Sequence, residues 1–194
     1  MNRVACAGGS GPTVWTVDPR EGGSLEDPKF LYHRDLGTQI GHSASFSWDG
    51  EVLIFGHEPG GGGQAQCQAT SSTLNRTLFF LDGDTGDTVG TMLHPRPQTA
   101  LENCTWHNLN VVPTDRRYLL VAGNYQSGIS VVDFTNPANA SEVAFADPAP
   151  LVNRAHSEAR VCSGAQGHPA VVPHRPVSPL AANSPESNVV QSTP

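Results

Sequence analysis

Apolar residues along this chain come in short runs, each closed by glycine or aspartate. Three pairs of runs read alike: Val4-Ala5-Cys6-Ala7-Gly8 with Val14-Trp15-Thr16-Val17-Asp18, Val52-Leu53-Ile54-Phe55-Gly56 with Leu78-Phe79-Phe80-Leu81-Asp82, and Leu119-Leu120-Val121-Ala122-Gly123 with Ile129-Ser130-Val131-Val132-Asp133. The runs are too short for helices and are bounded by turn residues, so they predict strands. Successive closing aspartates are 64 and 51 residues apart, and the long connection from Gly56 to Leu78 accounts for the excess. The middle and last units also have flanking strand-like pieces. His42-Ser43-Ala44-Ser45-Phe46-Ser47 precedes one and His107-Asn108-Leu109-Asn110-Val111-Val112 the other, while 88–94 and 142–146 follow the aspartates.

Four short strands per repeat of roughly 50 residues, separated by Gly, Asp and Pro turns, is the pattern of a β-propeller blade. The expected fold is therefore all-β, an incomplete propeller of about three four-stranded blades. Region 1–152 divides into a partial blade at 1–36, a blade at 40–94 and a blade at 105–150. The nearly continuous apolar second and third strands fit sheets covered on both faces by their neighbours. A β-sandwich of irregular hairpins is the competing all-β arrangement, which the repeat spacing disfavours. So few units do not close a ring, which usually needs about 4–8 blades. The chain thus reads as a truncated copy or fragment, its exposed strand edges needing further blades or another chain to cover them.

Composition narrows the picture. With 20 Gly and 16 Pro in 194 residues, a helical bundle would lose roughly 1 kcal/mol per interior Gly and roughly 3 per Pro. The net charge of −7, with Lys29 the only lysine and the arginines scattered, offers no footprint for a phosphate backbone and argues against nucleic acid as a partner. No stretch approaches a transmembrane span, and residues 1–8 hold no apolar core of a secretory signal. After about Val152 the large apolar residues give out. Residues 153–194 carry six prolines among Ser, Ala and Asn, which predicts a disordered tail, with His156, His168 and His174 too loosely spaced to suggest a metal site.

Certain segments go further than a blade pattern. His42-Ser43-Ala44-Ser45-Phe46-Ser47-Trp48-Asp49-Gly50, Gly56-His57-Glu58-Pro59-Gly60-Gly61-Gly62, Glu102-Asn103-Cys104-Thr105-Trp106-His107-Asn108 and Gly123-Asn124-Tyr125-Gln126-Ser127-Gly128-Ile129 through Phe134 resemble the LVIVD-repeat proteins of the bacterial, actinobacterial type. The resemblance covers about 1–152 and implies a propeller, usually exported, so that an extracytoplasmic or cell-surface location is expected from it. It implies no reaction, because the family is defined by a repeat.

In an up-and-down blade, the start of strand one, the end of strand two, the start of strand three and the end of strand four share one face. That face collects His42 and His107, His57-Glu58, the insertion 59–73 and the crossing loop 94–106. Imidazoles and carboxylates converging at a channel mouth suit a divalent transition metal, with His42, His57, Glu58 and His107 the candidate set and Glu58 or Glu102 the acid or base. The competing reading has each His donating a ring N–H to a backbone carbonyl and Glu58 solvated. His94, Glu102, Trp106, Asn108, Asn124 and Tyr125 are further candidates for a ligand-binding face.

Cys67 in the insertion and Cys104 in the crossing loop fall on the same face of adjacent units, within reach of a disulfide; two free thiols are the alternative. A disulfide points to an oxidising compartment. Cys6 reads as a small buried residue, and Cys162 lies in the tail. Asp82-Gly83-Asp84-Thr85-Gly86-Asp87 lacks the features of a calcium loop and reads as a hairpin turn. Gly60-Gly61-Gly62-Gly63 is no phosphate loop and reads as a flexible one. Asn75-Arg76-Thr77, Asn103-Cys104-Thr105 and Asn139-Ala140-Ser141 match the N-glycosylation acceptor pattern, though a bacterial-type chain would not be expected to use them. No nucleophile-elbow motif is present. The expected function is a binding or scaffold module acting on a protein, glycan or small ligand through one loop-rich face; the alternative is a fragment of a metal-dependent propeller enzyme.

Overall fold

The computed structural model describes residues 2–147. The expected tail at 153–194, with its three histidines and Cys162, lies outside the described residues. Eleven strands form three antiparallel sheets. The first holds β1 (Arg3–Ala7), β2 (Pro12–Thr16) and β3 (Lys29–His33). The second holds β4 (Gly41–Phe46), β5 (Val52–His57), β6 (Thr77–Asp82) and β7 (Thr88–Leu93). The third holds β8 (Asn108–Val112), β9 (Leu119–Gly123), β10 (Ile129–Asp133) and β11 (Ser141–Ala146). Each sheet is a meander in chain order, and β4, the first strand of the middle sheet, lies against both β1 and β8. Sheets packed face to face in succession, with neighbouring strands at one edge, are successive propeller blades. Among the described residues the only helical segments are 3-10 turns of three or four residues, and no helix is long and apolar enough to cross a membrane.

The middle sheet shows why its runs are continuously apolar. Val52 and Ile54 of β5 and Leu78 and Phe80 of β6 face the third sheet, packing with Trp106, Leu109, Leu120, Ala122, Val132 and Phe134. The alternate residues Leu53, Phe55, Phe79 and Leu81 face the first sheet, against Val14 and Tyr32. With a period of two, a strand buried on both faces has no polar position left. Each fully buried side chain of this size contributes about 1.5–3 kcal/mol.

The closing aspartates also have a physical reason. Asp18 accepts from the backbone N–H of Arg20 at 2.9 Å, Asp82 from those of Asp84 and Thr85 at 3.0 and 2.7 Å, and Asp133 from that of Thr135 at 2.9 Å. Each turn after the third-position strand is thus held by an Asx-type bond. In Asp82 the Thr85 N–H is the largest cause drawing the carboxyl pKa below its ordinary value. The segment 82–87 is accordingly the β6–β7 hairpin turn.

One expectation fails in the first sheet. Cys6 is exposed rather than buried, because Ala5 and Ala7 of β1 face the middle sheet while the alternate residues Val4 and Cys6 face the opposite side of the first sheet, which no other sheet covers among the described residues. The strand that fills the β4 or β8 position in the other sheets has no counterpart beside β1 among the described residues.

Candidate functional site

The ends of β5 and β7, the starts of β4 and β8, and the loops 58–76 and 94–107 meet on one face, as blade topology requires. At its centre the His42 and His107 rings meet edge to face, with centroids 5.0 Å apart, and the Tyr125 ring stacks on His107 at 4.2 Å. The Tyr125 hydroxyl donates to Glu58, and Glu58 Oε1 is 3.9 Å from His107 Nε2. Three of the four proposed metal ligands therefore come together, with Tyr125 among them.

Hydrogen bonds define what these side chains are doing. His42 Nδ1 donates to the His107 carbonyl at 2.8 Å, and Ser43 Oγ donates to the same oxygen. His107 Nδ1 donates to the Thr105 carbonyl at 3.0 Å, which leaves its Nε2 to accept from the Asn108 side-chain amide at 3.2 Å. Burial pushes the His107 pKa down to about 4, so at neutral pH the contact with Glu58 joins a carboxylate to an uncharged ring and is not an ion pair. His57 turns away from this group: its Nε2 donates to the Leu74 carbonyl at 2.7 Å, and burial lowers its pKa too. Among the described residues no set of three or more His, Cys, Asp or Glu side chains is arranged to hold a metal ion.

The remaining candidates sit mostly beneath the surface. Trp106 is fully buried, its indole N–H donating to the Arg76 carbonyl at 3.0 Å. His94 packs on that indole at 5.0 Å and shares a 3.2 Å hydrogen bond with Ser127; burial, reinforced by nearby Arg96, takes its pKa to about 4. Glu102 is buried and accepts from Thr99 Oγ1 at 2.8 Å, while the buried Asn124 donates to Ser130 Oγ at 3.0 Å. Asn108 is half-buried and His42 exposed, so these two reach solvent.

The insertion after Glu58 is fastened at several points. Cys67 and Cys104 form a disulfide with Cα atoms 5.6 Å apart. Gln98 N–H donates to the Cys67 carbonyl at 2.9 Å, and the Gln68 side chain to the Thr99 carbonyl at 3.0 Å, stitching the insertion to the crossing loop. In the glycine loop Gly60, Gly61 and Gly62 all take left-handed φ, at +74°, +61° and +72°, and Gly62 lies directly over the Tyr125 hydroxyl and Glu58. A Cβ there would lie 2.0 Å from Tyr125 Oη at a positive φ, so any other residue would have to displace the Tyr125 ring. Tyr125 itself has φ +52°, uncommon for a bulky side chain and held here by its ring stacking and its bond to Glu58.

Two exposed residues on this face were not singled out from the sequence: Leu101, 82% exposed in the crossing loop, and Ile40, 40% exposed beside Gly61. Both lie outside the repeated runs, and no periodic signal marks them. On the opposite face Trp48 is 43% exposed and meets the Tyr118 ring edge to face at 5.1 Å, with the Tyr118 hydroxyl on Asp49.

No protein-family model matches the chain, and no curated protein matches it. Among solved structures, Chaetomium thermophilum Sqt1 bound to the N-terminus of the ribosomal protein L10 aligns at 16% identity and a TM-score of 0.49, covering 75% of this chain and 34% of that one. Chaetomium thermophilum Sqt1 alone aligns at 14% identity and a TM-score of 0.39, covering 72% and 42%. The chain spans well under half the length of either structure it resembles.

Proposed function

We propose that this chain is a binding or scaffold module whose partner is a protein held on the loop-rich face. One observation carries the reading: the insertion 59–73 and the crossing loop are locked together by the Cys67–Cys104 disulfide and the Gln98 and Gln68 bonds, while Leu101 projects from the crossing loop and Ile40, just before β4, is exposed beside Gly61. Loops fixed in advance lose little entropy on binding, and exposed apolar side chains among polar ones supply contact area. The LVIVD-type resemblance and an extracytoplasmic or cell-surface location belong to the same reading, and the disulfide supports the location, since such bonds persist in oxidising compartments. Among the described residues β1 and β11 are end strands of their sheets, and we read their edges as places where further blades or another chain would attach.

The test compares cross-linked partner recovery by the wild-type chain with that by Leu101→Asp, Ile40→Asp and, on the opposite face, Trp48→Ala. The expected result is one partner retained by wild type and Trp48→Ala and depleted roughly tenfold by the two aspartate variants, about 1.4 kcal/mol of binding each. Equal recovery by all four proteins refutes the assignment of the face. The competing reading, a metal-dependent enzyme fragment, draws on the proximity of His42, His107 and Glu58, and would need His107 to exchange its bond from Asn108 for a metal. Elemental analysis of wild type against His42→Ala and His107→Ala separates the two.

A further inference from the structure

Each sheet turns the same strand positions to the same neighbour. The second and fourth residues of β5, Leu53 and Phe55, face the first sheet, and those of β9, Leu120 and Ala122, face the middle one. The first and third residues of β5, Val52 and Ile54, face the third sheet, just as Ala5 in the third position of β1 faces the middle one. This repetition leaves two faces over, one at each end of the series. On the first sheet the second and fourth residues of β1 are Val4 and Cys6. Val4 lies opposite Trp15 and Trp15 opposite Phe30, an apolar row across all three strands. The Trp15 and Phe30 rings meet edge to face at 6.4 Å, and Phe30 is 55% exposed. In the next row Thr13 and, from the β1–β2 turn, Ser10 share hydrogen bonds of 3.0 Å with the two ring nitrogens of His33, so these polar groups satisfy one another. On the third sheet the first and third residues of β9 are Leu119 and Val121, with Val131 opposite Val121 and Ile129 two residues along β10. Leu119, Ile129 and Val131 are half-buried, and among the described residues no sheet lies over either end face.

We infer that a second copy of this chain covers both faces: the outer face of the first sheet of each copy packs on the outer face of the third sheet of the other, and two chains close one ring of six sheets. Three observations select a second copy. The face that the first sheet lacks, built from the first and third residues of a β5-type strand, is the face that the third sheet offers, so one chain carries both halves of the contact. That contact repeats, in the same sense, the two already made within the chain, between the first and middle sheets and between the middle and third. Six sheets also fall within the range of about 4–8 blades at which propellers close, and a head-to-tail contact whose rotation closes yields a ring and not a filament. The contact forms twice in such a ring. The second forms between chains already held together, so its area adds to affinity without a second loss of translational freedom. The inference rests on the reading above, in which another chain attaches to the terminal sheets, and names that chain. It leaves the loop-rich faces of both copies uncovered, on the same side of the ring.

The test is light scattering during size-exclusion chromatography of the oxidised 194-residue chain, with Phe30→Asp altering one face and Val131→Asp the other. Wild type is expected at the mass of two chains and each variant at the mass of one, since a carboxylate in either apolar face is desolvated without a partner. Mixing the two variants is expected to restore pairs, because the unaltered first sheet of Val131→Asp still meets the unaltered third sheet of Phe30→Asp. A wild-type monomer overturns the inference, as does a mass that grows beyond two chains with concentration, which means that the contact does not close. A pair left intact by Val131→Asp overturns it too, since the first sheets are then joined to each other. The wild type alone gives a second reading that needs no variant to fold. With thiol alkylation mapped to the Cys6 peptide, Cys6 is shielded where chains pair and labels once they are diluted apart, whereas equal labelling throughout overturns the contact. A single chain that recovers its protein partner through Leu101 and Ile40 refutes the ring and leaves the loop-face reading standing; a pair that recovers no partner supports the ring and refutes that reading.

Discussion

Replacing both Cys67 and Cys104 with alanine tests how far the insertion is part of the folding unit. The bond joins residues 37 apart in sequence, and both sulfurs are fully buried. Closing a loop of that length in the unfolded chain corresponds to about 4 kcal/mol in the chain-entropy description. The closed ring contains β6 and β7, and β6 packs on both neighbouring sheets, so the loss falls on the global transition and not on the loop alone. Equilibrium urea unfolding of the oxidised wild type and of Cys67→Ala/Cys104→Ala should differ by about 4 kcal/mol, with a thermal midpoint lower by roughly 10 °C. Wild type in reductant provides the control and should move most of the way to the variant. A difference below about 1 kcal/mol, or an equal shift of both proteins in reductant, would refute the reasoning, because it would mean the unfolded chain gains no freedom when the bond is absent.

Two further outcomes follow from the same face. Gly62→Ala should cost about 1–3 kcal/mol and raise amide exchange across 59–66, since its Cβ would collide with Tyr125 Oη and Glu58 Oε1 at a φ of +72°; unchanged exchange there would show that the loop does not rest on Tyr125. Stability should be fullest above pH 6.5 and fall as pH drops toward 4, because His94 and His107 keep pKa values near 4 when folded against 6.5 when unfolded, so only the unfolded chain takes up protons in that window. Urea midpoints measured across it check this, and a His94→Gln variant with an undiminished slope would count against it.

The blade pattern was legible because burial on two faces leaves a local mark. β5 and β6 are apolar at every interior position, and the aspartates of the turns that follow are needed for their N–H groups. The short strand β3 leaves a fainter mark, since only Leu31 and Tyr32 of Lys29–His33 are drawn into the core and they do not alternate with polar positions. Topology also allowed His42, Glu58 and His107 to be placed on one face from sequence alone. The pairing of Cys67 with Cys104 was legible for the same reason, since adjacent blades align the two loops.

Repeat spacing and alternation determined the all-β class, the succession of sheets and the face on which the loops gather, because each depends on contacts renewed at every repeat. Side-chain direction was decided only by the tertiary structure. His57 and Glu58 are neighbours in sequence, yet one bonds the Leu74 carbonyl within its own blade and the other holds Tyr125 of the next. Trp106, Asn124 and His94 look like surface chemistry in the sequence and are interior groups in the fold, because the crossing loop and the turn at 125–127 cover them. The exposure of Cys6, likewise, follows from its lying on the face of the first sheet that no other sheet covers among the described residues, a fact about neighbours in space that no local run of residues records.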